Sequence, residues 1–216
     1  DATPISRLTN IEFLDISDTK IDDLSPLYGL HNLKSLNAKN TEVSDLSPLL
    51  NLKNLKEINI ENTKVKSLKP LHELTNLSKI YADGCKLSSD EVVALKRKQR
   101  QVTVIYQTDD LRLWWGNLDM SWREIFNNHL LCNSNPTAEQ LQSIVDIEEI
   151  IVDPDNVVYS LEPLQQMSFL RKLIINNNQI QDLTPLNDKD LLEVVSESLD
   201  GGKEAVERRL KVYGTN

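Results

Sequence analysis

The sequence predicts an α/β solenoid, a right-handed coil that lays short parallel strands side by side on its concave face. Three observations predict it. Segments starting at Ile11, Leu33 and Leu55 repeat one pattern with steps of 33 − 11 = 22 and 55 − 33 = 22 residues, and a less complete unit runs from Leu77 to Leu87. Each unit contains a short apolar–polar alternation, the period-2 signature of a half-buried strand. Each full unit then carries a Pro-Leu pair, in Ser25-Pro26-Leu27, Ser47-Pro48-Leu49 and Lys69-Pro70-Leu71. A fixed period of this kind means that no unit buries its apolar side alone, so each must stack on its neighbours.

Superposing the units yields the consensus L-x-x-L-x-L-x-x-T-x-I/V-x-D/S-L-x-P-L-x-x-L, in which each position has a physical task. The strands are Leu14-Asp15-Ile16, Leu36-Asn37-Ala38, Ile58-Asn59-Ile60 and Ile80-Tyr81-Ala82, expected to pair in parallel from one unit to the next. The ninth position holds Thr19, Thr41, Thr63 and Cys85, small side chains that turn inward at the strand exit and hydrogen-bond stranded backbone groups. Proline on the return segment fixes φ and removes a donor, favouring a short helical turn over a long helix.

These residues, with Leu8-Thr9-Asn10, Leu74-Thr75-Asn76 and the recurring Pro-Leu, resemble the 22-residue class of leucine-rich repeats, similar to those of bacterial internalins and of a phosphatase-1 regulatory subunit. The resemblance covers residues 2–106 closely and 137–190 with gaps. It implies a repeat solenoid, and a family of receptor ligands and regulatory subunits whose fold does not select among those roles. The segment Ala2-Thr3-Pro4-Ile5-Ser6-Arg7-Leu8 aligns with Leu24–Leu30 and reads as the tail of an earlier unit, so the chain is expected to be a fragment of a longer protein.

The fourth unit ends in a helix and a strand. Ser88 and Glu91 have capping-box spacing, and the helix they open runs through Val92, Val93 and Leu95 into the basic stretch Lys96–Arg100, with a strand at Val102–Tyr106. The cations suit a helix C-terminus. Residues 107–146 interrupt the repeat with Leu111, Trp114, Trp115 and Leu118, then a second expected capping box at Ser121 and Glu124 and a helix bearing Ile125, Phe126 and Leu130. Aromatic residues at helical spacing beside a solenoid predict the core of a cap. A third helix starts at Pro136-Thr137 with Gln140 at the box position.

The repeat resumes at Ile147-Glu148-Glu149-Ile150 and Leu170-Arg171-Lys172-Leu173, a step of 170 − 147 = 23 residues, the extra residue falling in a loop over Asp153–Ser160. Two helices are expected at Asp190–Leu199 and Lys203–Val212, closing the second array. The expected organisation is thus a first array over 1–106, a tryptophan-rich helical insert over 107–146, a second array over 147–190 and a helical cap over 191–216. One continuous sheet requires the strand at Val104 to ladder with that at Ile150; two arrays in tandem do not.

Composition narrows the partners. Of 216 residues 39% are apolar and 26% charged, with a net charge of −9, a balance that argues against nucleic acid because phosphate neutralisation needs a basic face. Basic or neutral protein or peptide partners are favoured instead. No apolar run reaches spanning length and no charged-then-apolar leader is present, which leaves cell-surface, secreted and cytoplasmic placements all open. Cys85 and Cys132 lie in different kinds of segment and form no disulfide framework.

No catalytic constellation is legible. His31, His72 and His129 are scattered, no phosphate-cradling glycine loop occurs, and Asp153, Asp155 and Asn156 lack the glycine and distal glutamate of a calcium loop. No cofactor, metal or enzymatic activity is therefore expected. The informative positions for binding are the outward-alternating strand residues of the concave face. Those expected to contact a partner are Phe13, Asp15, Asn37, Lys39, Asn59, Glu61, Tyr81, Asp83, Ile151, Ile174 and Asn176. Phe13, Tyr81, Ile151 and Ile174 are the anchors among them, and Ile151 with Ile174 forms the one joined patch.

Overall fold

A computed structural model describes residues 3–130, 135–153, 155–175, 180–187, 189 and 193–195. The chain divides into two compact units, Asp1–Thr108 and Asp109–Asn216.

The first unit is a stack of parallel strands. β1 (Phe13–Asp15), β2 (Ser35–Asn37), β3 (Glu57–Asn59) and β4 (Lys79–Tyr81) are followed by helix α1 (Ser89–Lys98) and β5 (Thr103–Ile105). They form one five-stranded parallel sheet in sequence order, with Leu14, Leu36, Ile58, Ile80 and Val104 in one row. The 22-residue period is therefore a spatial register. Leu36, Ile58, Ile80 and Val104 are almost wholly buried, whereas Leu14 in the first strand is half-buried.

Each consensus position makes the contact its chemistry allows. The Thr41 and Thr63 hydroxyls donate to the carbonyls of Ala38 and Ile60 at 2.6 and 2.7 Å, and the Cys85 thiol, taking the same place, reaches the Ile60 carbonyl at 2.9 Å. Burial pushes the Cys85 thiol pKa up, consistent with a packing role. At the D/S position, Asp23 and Asp45 accept from the amides of Ser25 and Ser47, both at 2.8 Å, satisfying a donor that opens the Pro-Leu turn. Asp18, Asn40 and Asn62 adopt positive φ, and their side chains link up, Asn62 to Asn40 at 2.8 Å and Asn40 to Asp18 at 2.7 Å. At the inter-repeat turns Asn32, Asn54 and Asn76 each donate to a carbonyl of the preceding turn.

The end of the array differs from the expected capping box in one respect. Ser88 Oγ accepts the Glu91 amide at 3.3 Å, but the Glu91 carboxylate bonds the Ser67 hydroxyl at 3.0 Å and the Leu68 amide at 2.9 Å in the preceding unit. A part-buried backbone donor needing an acceptor outcompetes the solvated Ser88 amide for the charge. Gln99, buried at the end of α1, donates to the Leu71 and His72 carbonyls and so ties the helix to the same unit.

The second unit builds its core from helices and strands together. α2 (Thr108–Asn117), α3 (Met120–Leu130) and α4 (Ala138–Val145) precede β6 (Glu149–Val152), β7 (Lys172–Ile175) and β8 (Glu193–Val195). Trp122 and Phe126 stack at 5.4 Å between ring centres, and both share a core with Ile150, Leu161, Leu164, Met167 and Leu173. Two indole N–H groups find carbonyls on the return segment: Trp122 to Ser160 at 2.9 Å and Trp114 to Pro163 at 3.2 Å. Tryptophan suits these sites because the ring fills volume while its one donor reaches the backbone.

Two expectations need correction here. α3 does not start on a box at Ser121 and Glu124; it begins two residues earlier, at Met120, with the Trp122 amide donating to Asp119 Oδ1 at 2.9 Å. A carboxylate is the better acceptor for a helix's first amides. Second, the helix expected over Asp190–Leu199 gives way at Glu193–Val195 to a strand, which pairs with β7 as Lys172↔Glu193 to Ile174↔Val195, a step of 193 − 172 = 21 residues. The β-branched Val194 and Val195 suit the ladder that the edge of β7 offers. The helix expected at Lys203–Val212 lies outside the described residues. Of the two arrangements left open by the sequence, the described strands take the one with two sheets, β1–β5 and β6–β8, and Val104 does not ladder with Ile150. The box expected at Thr137 is complete, Thr137 Oγ1 accepting from the Gln140 amide and Gln140 Oε1 from the Thr137 amide.

Candidate partner-binding surface

Strand register arranges the outward residues of the first unit in rows. One row is Phe13, Ser35, Glu57, Lys79 and Thr103; the next is Asp15, Asn37, Asn59 and Tyr81, and it ends on Ile105, which is buried. Lys39, Glu61 and Asp83 follow at the strand exits. Phe13 is 71% exposed, and Tyr81 is half-buried with the Lys79 ammonium 5.7 Å from its ring centre. The two aromatics sit in different rows, three strand spacings of about 4.8 Å apart, and so do not form one patch.

Most of the polar residues expected to meet a partner here meet one another. Asp15 accepts from the Ser17 hydroxyl and amide at 2.6 and 2.8 Å and from the Asn37 amide at 3.0 Å, and these bonds, the hydroxyl's foremost, hold its pKa below the ordinary value. Glu61 takes the Lys39 ammonium at 2.8 Å and the Asn59 side-chain amide at 3.2 Å, and the Glu61 hydrogen bond and charge raise the Lys39 pKa. Asp83 accepts the Thr108 amide at 2.8 Å and its hydroxyl at 2.6 Å, anchoring the first residue of α2. Asp83 thus has a structural bond that spacing did not reveal.

The second unit presents a different face. Ile151 and Ile174 are paired in register on β6 and β7, Ile151 53% exposed and Ile174 half-buried, and Val195 on β8 takes the next place in that row. Glu149 and Lys172 flank the row with an ion pair at 3.0 Å. Asn176 lies outside the described residues. Sequence reasoning missed the neighbours of Ile151: Ile125, Asn128 and His129 of α3, with Asp153 and Asn156 from the strand exit, line a cleft of about 200 Å³ beside it. Position in the sequence carries no signal for this, since more than 20 residues separate His129 from Ile151.

Among the described residues no group of His, Cys, Asp or Glu is arranged to hold a metal ion, and no helix is long and apolar enough to cross a membrane.

Comparison with known proteins places the repeats. A profile described as leucine rich repeats (2 copies) matches residues 9–51. The matched units are leucine-rich repeats, and the parallel stack that continues from them to Ile105 is an α/β leucine-rich-repeat fold. Solved structures similar to the chain include internalin C2 of Listeria monocytogenes, at 20% identity over 91% of this chain and 66% of that one, TM-score 0.46. A second internalin of Listeria monocytogenes matches at 20% identity over 91% and 56%, TM-score 0.40. A leucine-rich-repeat protein of Leptospira interrogans matches at 17% identity over 47% and 33%, TM-score 0.39. The chain spans less than two thirds of the length of either internalin. No curated protein sequence matches.

Proposed function

We propose that this chain is a non-catalytic protein-interaction module that presents the strand face of its second unit, centred on Ile151 and Ile174, to a protein or peptide partner. The observation that carries the reading is the in-register pair of outward isoleucines, one of them more than half exposed, on a sheet whose other alternate positions are buried. Leucine-rich repeats commonly serve as rigid binding surfaces, and a preorganised face loses little entropy on association.

A second reading, a spacer region of a larger protein, has its own support in the first unit. There Asp15, Asn37, Lys39, Asn59, Glu61 and Asp83 are engaged with neighbours in the fold, which suits a scaffold. Affinity capture with the chain, identification of the retained protein, and titration of that purified protein discriminate the two. On the module reading, Ile151→Asp abolishes binding with the melting temperature unchanged, and Phe13→Asp leaves binding intact. Retention by the Ile151→Asp chain, or no saturable partner for the unaltered chain, supports the spacer instead.

A further inference from the structure

The cleft beside Ile151 combines an apolar floor with a polar rim, three of whose side chains bond no other described residue. Its floor is Ile125, 3% exposed, and Ile151, 53% exposed. Its rim is Asn128, His129, Asp153 and Asn156. The hydrogen bond to the Asp153 carboxylate among the described residues comes from the Asp155 amide at 3.1 Å and goes to Oδ1. Neither side-chain amide of Asn128 and Asn156, nor the His129 ring, has a hydrogen bond within the described residues, in contrast to the polar residues of the first unit's strand face.

The lining holds one carboxylate and no lysine or arginine. Asp155 adds a second carboxylate on the adjoining turn, in a chain whose net charge is −9. The Asp153 carboxylate is an acceptor only; the two side-chain amides and the imidazole can each donate or accept, and the amides can turn their oxygens toward a donor. A volume of about 200 Å³ is below the range of cofactor sites and suits a single long side chain. The side chain that matches is one with an apolar stem and a many-donor cationic head, because its stem covers the isoleucines while its head faces the acceptors.

We propose that this cleft is a recognition pocket for one basic side chain, arginine or lysine, projecting from the protein partner. The stem lies over Ile125 and Ile151, the head meets Asp153, and the Asn128 and Asn156 oxygens take the remaining donors. The inference rests on the module reading of the same face and names the chemistry of its partner. Because the Ile151–Ile174 row is continuous with the floor of the cleft, the residues flanking the basic one would be apolar.

The test uses the whole chain and defined peptides. Blocked pentapeptides with a central arginine, lysine, norleucine or glutamate are titrated while the side-chain amide signals of Asn128 and Asn156 and the ring signals of His129 are followed by NMR. The arginine and lysine peptides are expected to shift these signals saturably, more weakly at high salt, and about two- to fivefold more weakly with Asp153→Asn, a surface change that leaves melting unaltered. Equal response to the glutamate or norleucine peptide, no saturable shift, or an unchanged response in Asp153→Asn overturns the proposal. The captured partner separates the two readings. Binding lost with Ile151→Asp yet retained by Asp153→Asn overturns the basic pocket and leaves the module standing; no partner at all removes the module.

Discussion

The two units use polar side chains in opposite ways. On the strand face of the first, Asp15 is bonded by Ser17 and Asn37, Glu61 by Lys39 and Asn59, and Asp83 by Thr108. Beside the strand face of the second, the side chains of Asn128, His129 and Asn156 have no hydrogen bond within the described residues, and the row between them and β8 is aliphatic. A polar group already satisfied within the fold gains little by meeting a partner, since the new bond replaces an old one. On the proposed reading the regular array is the poorer binding surface, although it supplies more of the polar positions that spacing singles out. Regularity itself has this effect: equivalent residues one strand spacing apart become one another's partners.

The largest expected effect tests whether the second unit depends on its aromatic core as the first depends on its leucine ladder. Trp122→Ala removes a fully buried ring that stacks on Phe126 and bonds the Ser160 carbonyl. It should cost ~3–5 kcal/mol in denaturant unfolding. Hydrogen exchange should quicken in α3, α4, β6 and β7 while the amides of β2–β4 keep their protection. Uniform loss in both units would show that they do not unfold separately.

A pair of glycine substitutions sharpens the contrast. Gly84 has φ +74°, and a Cβ there would lie 2.1 Å from Asn62 Oδ1, so Gly84→Ala strains the backbone and displaces the side chain that bonds Asn40. About 1–2 kcal/mol of destabilisation is expected by chemical denaturation. Gly116 in α2 has nothing within 4 Å of its would-be Cβ, and Gly116→Ala should be neutral or stabilise by up to about 1 kcal/mol. The glycine of the array is held there by its neighbours; the glycine of the helix is not.

The smallest effect is acid sensitivity. Asp23 and Asp45 have pKa values lowered first by the hydroxyls of Ser25 and Ser47, and Asp182 first by the Thr184 amide, all from an ordinary value of 3.8. A carboxyl whose folded pKa is depressed contributes stability that is complete above the unfolded value and lost as pH falls through the folded one. Denaturation midpoints should thus hold above pH 3.8 and decline below it. Asp23→Asn with Asp45→Asn should flatten that decline for the first unit more than Asp182→Asn does for the second. Equal acid profiles for all variants would assign the decline to other carboxyls.

Much of the fold is legible in the residues because a repeat states its register again and again. The 22-residue step, the inward threonines and the Pro-Leu turns each follow from one unit and are restated by the next. What was not legible lies where two different segments compete for one group. The Glu91 carboxylate leaves its own helix for Leu68, Asp119 takes the place expected of Ser121, and Val194–Val195 join β7 as a strand where local spacing suggests a helix. For Glu91 and for Val194–Val195 the deciding partner is distant in sequence, and local propensity is too weak to resist it, whereas Asp119 is a local cap two residues before Ser121.

By itself the sequence determined that short parallel strands stack with a fixed step, which side chains enter the core, and that Ile151 and Ile174 share a row. Those follow from periodicity, which is local and repeated. Tertiary structure alone decided which outward polar groups are already bonded and that His129 and Asn128 of α3 stand beside Ile151 and Asp153. The reason is that hydrogen-bond satisfaction and a cleft are relations between segments far apart in the chain, and no spacing within one segment encodes them.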